Sequence, residues 1–306
     1  MSDIGVLVMA YGGPDNLDQV EPYLLDVRGY RPTAPEITRE VRERYREIGG
    51  RSPILERTQA QAQALEAALN ANGARFKTFV GMRHWHPYIK DSLAAMAESG
   101  LTRAVGLVMA PHYSRLSIGA YYKKVDEAQS PVQVAGIERW GVLPGYVDAL
   151  AGRVRAALER FPAEARAGVP IIFTAHSLPR RILEWSDPYP DELQATTAAV
   201  MERLGPHPHQ FAFQSAAMTP EPWLGPEAGE AIAALARDGH RNILLAPVGF
   251  VCEHVEILYD VDVVFQRQAQ ALGVRLERIE MLNTAPAMIA GLAGLVRDRA
   301  RQAGWL

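Results

Sequence analysis

The feature that most restricts this chain is an alternation. Short unbroken apolar runs rich in Val, Ile and Leu are separated by longer stretches in which apolar residues recur three and four positions apart. The runs fall at 4–10, 76–81, 104–110 and 132–137, then at 170–174, 210–213, 242–247 and 274–279. Helical spacing covers 58–72, 87–99, 146–160, 191–204, 227–238 and 285–302. A strand that is apolar at every residue must be covered on both faces, and parallel strands joined by helices provide that cover. The chain therefore reads as α/β. Its halves also look alike. Each begins with a strand that breaks into a polar turn, at Ala10-Tyr11-Gly12 and Ala175-His176-Ser177, and each later has a strand ending in Ala-Pro, at Ala110-Pro111 and Ala246-Pro247. The expected division is 1–143 and 144–284, with a C-terminal helix, 285–306, packed on the first half. Open α/β sheets bind ligands at the carboxyl ends of their strands, so two such edges would face each other across a cleft.

Composition removes several classes of function. A net charge of −3 is wrong for a general nucleic-acid binder, which needs a basic excess to displace counterions. One cysteine, Cys252, leaves no disulfide framework, thiolate zinc site or cysteine-ligated iron–sulfur cluster. No apolar run approaches the roughly 20 residues that span a bilayer. Met1-Ser2-Asp3 leads straight into a strand with no basic region before it, so a cytoplasmic protein is expected. No Gly-x-Gly-x-x-Gly or P-loop follows any strand, which speaks against nucleotide binding. The 28 arginines against four lysines reflect either base composition or a need for bidentate carboxylate contacts.

Two segments carry chemistry. His176 stands at a strand end, where a side chain that titrates near neutrality can accept protons or bind a borderline metal; the plainer alternative is a histidine bonded into a turn. Ser177 beside it suggests a hydrolase pair, but neighbours in a strand point to opposite faces and no Gly-x-Ser-x-Gly elbow is present. In the second segment a helix is expected from near Glu253, placing Glu256 and Asp260 on one face about 6 Å apart. Like charges at that spacing call for a cation or proton between them, or are simply solvated. Val255, Leu258 and Tyr259 would be the stripe that packs this helix down. Among the remaining histidines, His84-Trp85-His86 suits a packed loop better than a ligand pair, His207 and His209 suit a surface turn, and His112 a structural turn. Near the N-terminus Arg28, Arg42, Arg44, Arg46 and Arg51 surround Tyr45 and Ser52. Those that converge would suit a flat apolar ligand bearing carboxylates. Tyr11, Tyr121 and Tyr122 add aromatic surface at strand ends.

The order of these motifs resembles the ferrochelatases, from about Gly5 to Ala285. It rests on Val8-Met9-Ala10-Tyr11-Gly12, Ile48-Gly49-Gly50-Arg51-Ser52-Pro53, Gly81-Met82-Arg83-His84-Trp85-His86-Pro87, Ala110-Pro111-His112-Tyr113-Ser114, Phe173-Thr174-Ala175-His176-Ser177-Leu178-Pro179, Gln214-Ser215 with Pro222-Trp223-Leu224-Gly225-Pro226, and the segment 249–260. The resemblance implies two similar Rossmann-like, chelatase-type domains, each a parallel sheet flanked by helices, with a cleft between them. It implies a lyase of heme biosynthesis that inserts ferrous iron into a porphyrin, with His176 and Glu256 as the catalytic, metal-binding pair and Asp260 continuing an acidic line. The Met-Ala-Tyr-Gly pattern is similar to bacterial enzymes acting on coproporphyrin III to give coproheme, in which Tyr11 would be axial to the product iron and Arg28, Arg44, Tyr45, Ser52 and Tyr121 would contact substrate. Four propionates suit an arginine- and hydroxyl-lined mouth better than two do. A protoporphyrin IX enzyme and a non-catalytic tetrapyrrole or iron carrier are the alternatives. The family's acidic line often has a further acid where this chain has Val264, and Asp262 would point off that face. No tightly bound cofactor and no iron–sulfur cluster are expected, and the expected partners are the porphyrin, ferrous iron and heme-pathway enzymes, not nucleic acid. A monomer is expected.

Overall fold

The computed structural model describes residues 3–73, 75–217 and 219–306. Met1 and Ser2, which belong to the expected first half and to the N-terminal reading, lie outside the described residues. Two four-stranded parallel sheets form the frame. The first holds β1 (Ile4–Ala10), β2 (Phe76–Met82), β3 (Arg103–Val108) and β4 (Gln133–Ile137) in the order β2-β1-β3-β4. The second holds β5 (Ile171–His176), β6 (His209–Gln214), β7 (Asn242–Pro247) and β8 (Arg275–Arg278) in the order β6-β5-β7-β8. The two orders are the same, so the likeness of the halves in sequence is a likeness of topology.

In chain order the helices are α1 (Val20–Val27), α2 (Pro35–Glu47), α3 (Ile54–Asn70), α4 (Ile89–Glu98), α5 (Ile118–Glu127), α6 (Pro144–Leu158), α7 (Tyr189–Leu204) and α8 (Ala228–Arg237). A π-helix at Glu256–Phe265 follows, then α9 (Gln266–Ala271) and α10 (Pro286–Gln302). Proline opens α2, α6 and α10, where its missing N–H has no partner to lose. Both faces of each sheet are covered, as the unbroken apolar runs require. Along β1, Val6 and Val8 face a central core with α3 and α10, while Leu7 and Met9 face the opposite layer with α4. Along β5, Ile171 and Phe173 enter the same central core, and Ile172 faces α8 and the π-helix. The central core thus belongs to both halves. α10 packs on α3, α6, β3 and β4, and Gly145 at the start of α6 lies so close to α10 that a Cβ there would sit 2.2 Å from the Ala287 carbonyl oxygen. The buried Tyr146 hydroxyl donates to the Val248 carbonyl, tying α6 to the loop after β7.

Three expectations are corrected. The helix expected from residue 58 begins at Ile54, because Ser52 Oγ accepts the Ile54 N–H at 3.3 Å and Pro53 directs the entry. The helix expected from Glu253 starts at Glu256 and is π-wound, with Ile257, Val261 and Phe265 as its fully packed stripe rather than Val255, Leu258 and Tyr259. Tyr122 does not reach a strand-end surface. Its hydroxyl donates to the carbonyls of Gly106 and Ile137, and its ring fills the space that side chains at Gly106 and Gly136 would take.

Candidate active site

The strand orders place a topological switch point between β1 and β3 in one sheet and between β5 and β7 in the other. Both open into one cleft of about 330 Å³. The first half supplies Tyr11 from the turn after β1, Ser52 before α3, Arg83 after β2 and Tyr121 on α5. The second supplies His176 at the end of β5, Trp223, and the turn after β7 that carries His254 and Glu256.

His176 Nδ1 faces the Ser177 carbonyl oxygen. A carbonyl only accepts, so Nδ1 carries a hydrogen, and Nε2 is the ring nitrogen turned toward the cleft. That Nε2 is 3.6 Å from Glu256 Oε1. His254 repeats the arrangement, its Nδ1 donating to the Cys252 carbonyl at 3.0 Å and its Nε2 standing 3.7 Å from Glu256 Oε2. Each oxygen of Glu256 therefore faces an imidazole nitrogen, which brings together one carboxylate and two rings that can hold a proton or a cation. Burial pushes the Glu256 carboxyl up, but His176 and His254 outweigh it and hold the group below its ordinary value. Burial lowers His254, and its bond to Glu256 and the carboxylate charge more than reverse this, so its cation is favoured.

The supporting contacts come from β6. Gln214 Oε1 accepts from Thr174 Oγ1 at 2.7 Å, and its Nε2 donates to the Glu256 carbonyl at 3.2 Å, locking the first turn of the π-helix to the sheet edge. Ser215, held at φ 61°, donates its hydroxyl to Asp260 one turn behind Glu256. Burial, with the charge of Glu256 added, pushes the Asp260 carboxyl up to about 6 against the pull of Ser215, Arg44 and His176. Val264 is exposed on the next turn, and Asp262 leaves the row altogether to form a bidentate pair with Arg278 at 2.6 and 2.8 Å.

On the facing wall Tyr11 packs 4.7 Å from the His84 ring. Burial pushes its phenol up to about 12, with Arg83 pulling it down and Glu256 raising it, so the charge of Glu256 is felt across the cleft. Arg83 lies over both Tyr11 and Tyr121, 5.8 and 5.4 Å from their ring centres, and donates to the Leu116 carbonyl at 3.2 Å. Trp223 tilts over the His176 ring at 6.3 Å.

Of the residues singled out from sequence, Tyr11, Ser52, Tyr121, His176 and Glu256 line the cleft together. Asp260 lies behind Glu256. Tyr45 is buried edge-on to Tyr23 at 6.4 Å, Arg44 pairs with Glu40 at 2.6 Å over the Tyr259 ring, and Arg28 is exposed at the end of α1. The other histidines are held by packing bonds. His84 Nδ1 donates to Asp26 at 2.8 Å, buried His112 meets Thr196 Oγ1 at 2.7 Å and is lowered by burial to about 3, and His207 bonds the Val169 carbonyl. Sequence reasoning passed over His254, Arg83 and Trp223. The available signal for Arg83 and Trp223 was their place inside two of the quoted motifs. For His254 it was a histidine two residues before an acid in a turn, which an assumed helix from Glu253 sends to the wrong side.

Two parallel sheets of one strand order, closing on a cleft that mounts a histidine–carboxylate row, define an α/β chelatase. A sirohydrochlorin chelatase, SirB of Bacillus subtilis subspecies spizizenii in complex with cobalt, has the same fold, with a TM-score of 0.60 at 9% identity over 99% of this chain and 97% of that one. The family model for ferrochelatase matches residues 3–300. A ferrochelatase of Herpetosiphon aurantiacus is 41% identical over 93% of this chain and 95% of its own length. A coproporphyrin III ferrochelatase of Oceanobacillus iheyensis is 37% identical over 97% of each. The chain belongs to the ferrochelatase family. It is an enzyme, a metal chelatase of the lyase class, and the family's substrates are ferrous iron and a porphyrin, joined in heme biosynthesis. Among the described residues no helix is long and apolar enough to cross a membrane.

Proposed function

We propose that this chain inserts ferrous iron into coproporphyrin III, giving coproheme, with His176 and Glu256 as the pair that carries the reaction. The observation behind the reading is His176 Nε2 held 3.6 Å from Glu256 Oε1 at the wall of a cleft that suits a flat ring. Iron entering a free-base porphyrin displaces two pyrrole protons, and His176 and Glu256 line the cleft as groups able to accept them. Asp260, raised toward neutrality, is the next station for a proton leaving Glu256. Tyr11, which lines the same cleft, would serve as a ligand of the product iron. Ser52 and Tyr121 contact the ring from the first half, with Arg28, Arg44 and Tyr45 nearer its rim. The division into 1–143 and 144–284 is supported by the split of β1–β4 from β5–β8.

Support for coproporphyrin comes from the Oceanobacillus iheyensis relative and from the arginines near the cleft. The test is anaerobic. Ferrous iron is mixed with either coproporphyrin III or protoporphyrin IX, and the loss of the free-base spectrum is followed in wild type, His176→Ala and Glu256→Gln. Fast conversion of coproporphyrin in wild type is expected, with both variants binding porphyrin yet failing to metallate it. Preferred conversion of protoporphyrin overturns the substrate, and variants that keep full turnover overturn the roles.

A further inference from the structure

The arginines around the cleft differ in whether an acid offsets their charge, and Arg28 and Arg83 have no acidic partner among the described residues. Arg42, Arg44, Arg46 and Arg51 each face an acid of their own, namely Asp18, Glu40, Glu43 and Glu56. Their charge is offset locally, which weakens their pull on an incoming carboxylate. Arg115 and Arg180 are exposed, and neither has an acidic partner among the described residues. They stand next in the chain to Leu116 and Pro179, which line the cleft, one from each half.

Their placement is built rather than incidental. Asp187 Oδ2 accepts from the Arg115 N–H at 2.8 Å and from Ser114 Oγ at 3.1 Å, while Oδ1 accepts from the Tyr189 N–H at 3.1 Å. The buried carboxylate thus fastens the loop after β3 to the segment after β5. Ser186, at φ 49°, turns the chain just before Asp187 and leaves Trp185 partly exposed beside Arg115. The Arg115 guanidinium lies 5.5 Å from the Trp185 ring centre, and Arg181 lies 5.9 Å from the same ring while pairing with Glu221 at 3.0 Å. The Arg180 N–H is bonded to the Pro222 carbonyl at 2.8 Å, which holds that stretch against the segment carrying Trp223. A guanidinium stacked on an indole keeps its N–H edge free, and the stack removes freedom that a lone surface arginine would lose on binding.

We propose that Arg115 and Arg180, with Trp185 as the platform for Arg115, form a carboxylate-binding lip that engages peripheral propionates of the macrocycle. This deepens the coproporphyrin reading and rests on it. The lip is made by the β3–α5 loop and the segment after β5, separate from the α2 arginines, and so adds cationic sites for a substrate with more than two carboxylates.

The test is steady-state kinetics of Arg115→Ala, Arg180→Ala and the double variant, with Arg39→Ala, a paired surface residue on α2, as control. Substrates are coproporphyrin III, protoporphyrin IX and detergent-dispersed coproporphyrin III tetramethyl ester. For the double variant KM for coproporphyrin should rise about 5- to 20-fold with kcat little changed. KM for the tetramethyl ester should stay at the wild-type value, and the coproporphyrin penalty should shrink in about 0.5 M salt. An unchanged KM for coproporphyrin, or an equal rise with the ester, overturns the lip while the coproporphyrin reading stands. A wild type that prefers protoporphyrin overturns that reading, and a KM for protoporphyrin that the double variant leaves unchanged then overturns the lip as well.

Discussion

Replacing Asp260 by Asn should make the protein more stable near pH 8 and leave its stability near pH 4 almost unchanged. The carboxyl is pushed from its ordinary 3.8 to about 6 by burial, with the like charge of Glu256 adding to the push. A carboxyl raised by folding binds its proton more tightly in the native state than in the unfolded chain. Its contribution to stability is therefore full below about pH 4 and is lost as pH climbs through 6. At about 1.4 kcal/mol per pKa unit the ionised group costs at most about 3 kcal/mol at pH 8, and partial access to water reduces this to about 1–2 kcal/mol. Asn keeps the shape, and its Oδ1 still accepts the Ser215 hydroxyl that Asp260 accepts in the native protein. Urea unfolding of both proteins at the two pH values measures the difference directly. If Asp260→Asn is less stable at both, the carboxyl group is a net stabilising partner of Ser215 and Arg44, and the repulsion argued between Asp260 and Glu256 is wrong.

Other outcomes follow from the same geometry. Gly145→Ala drives a Cβ into the Ala287 carbonyl and must part α6 from α10, costing about 1–3 kcal/mol in chemical denaturation. Gly249→Ala puts a Cβ 2.5 Å from that of Ala175, next to His176, and should lower kcat about 10- to 100-fold through misplacement of the pair while coproporphyrin binding persists. Arg278→Ala leaves the half-buried Asp262 without its fork and should cost about 1–3 kcal/mol, with Asp262→Asn restoring part of the loss in the double variant.

The strands were legible because of what covers them. Ile4–Ala10 and Asn242–Pro247 are apolar along their length, and a strand buried on both faces leaves no other mark in a sequence. His176 was legible because it ends such a strand. The π-helix was not, since an α-helix was assumed and Ile257, Val261 and Phe265, four apart, share a face in either winding. The same assumption hid His254, whose turn brings it to the second oxygen of Glu256. Which α2 arginines converge on a ligand is not legible from their number alone, but Glu40 lies four residues before Arg44 and Glu43 three before Arg46, spacings that pair on any helix face. Arg115 and Trp185 are 70 positions apart, and only the bridge through Asp187 reveals them as neighbours.

His176 and Glu256 are both mounted on the second sheet, cross-braced through Thr174 and Gln214, whereas Tyr11, Ser52, Arg83 and Tyr121 belong to the first. The molecule is in this respect a vice with its tool fixed in one jaw. A small change in the gap between the halves alters the grip on a flat guest and the reach of Tyr11 toward it. The spacing between His176 and Glu256 is untouched, so guests of differing thickness or pucker meet the same pair.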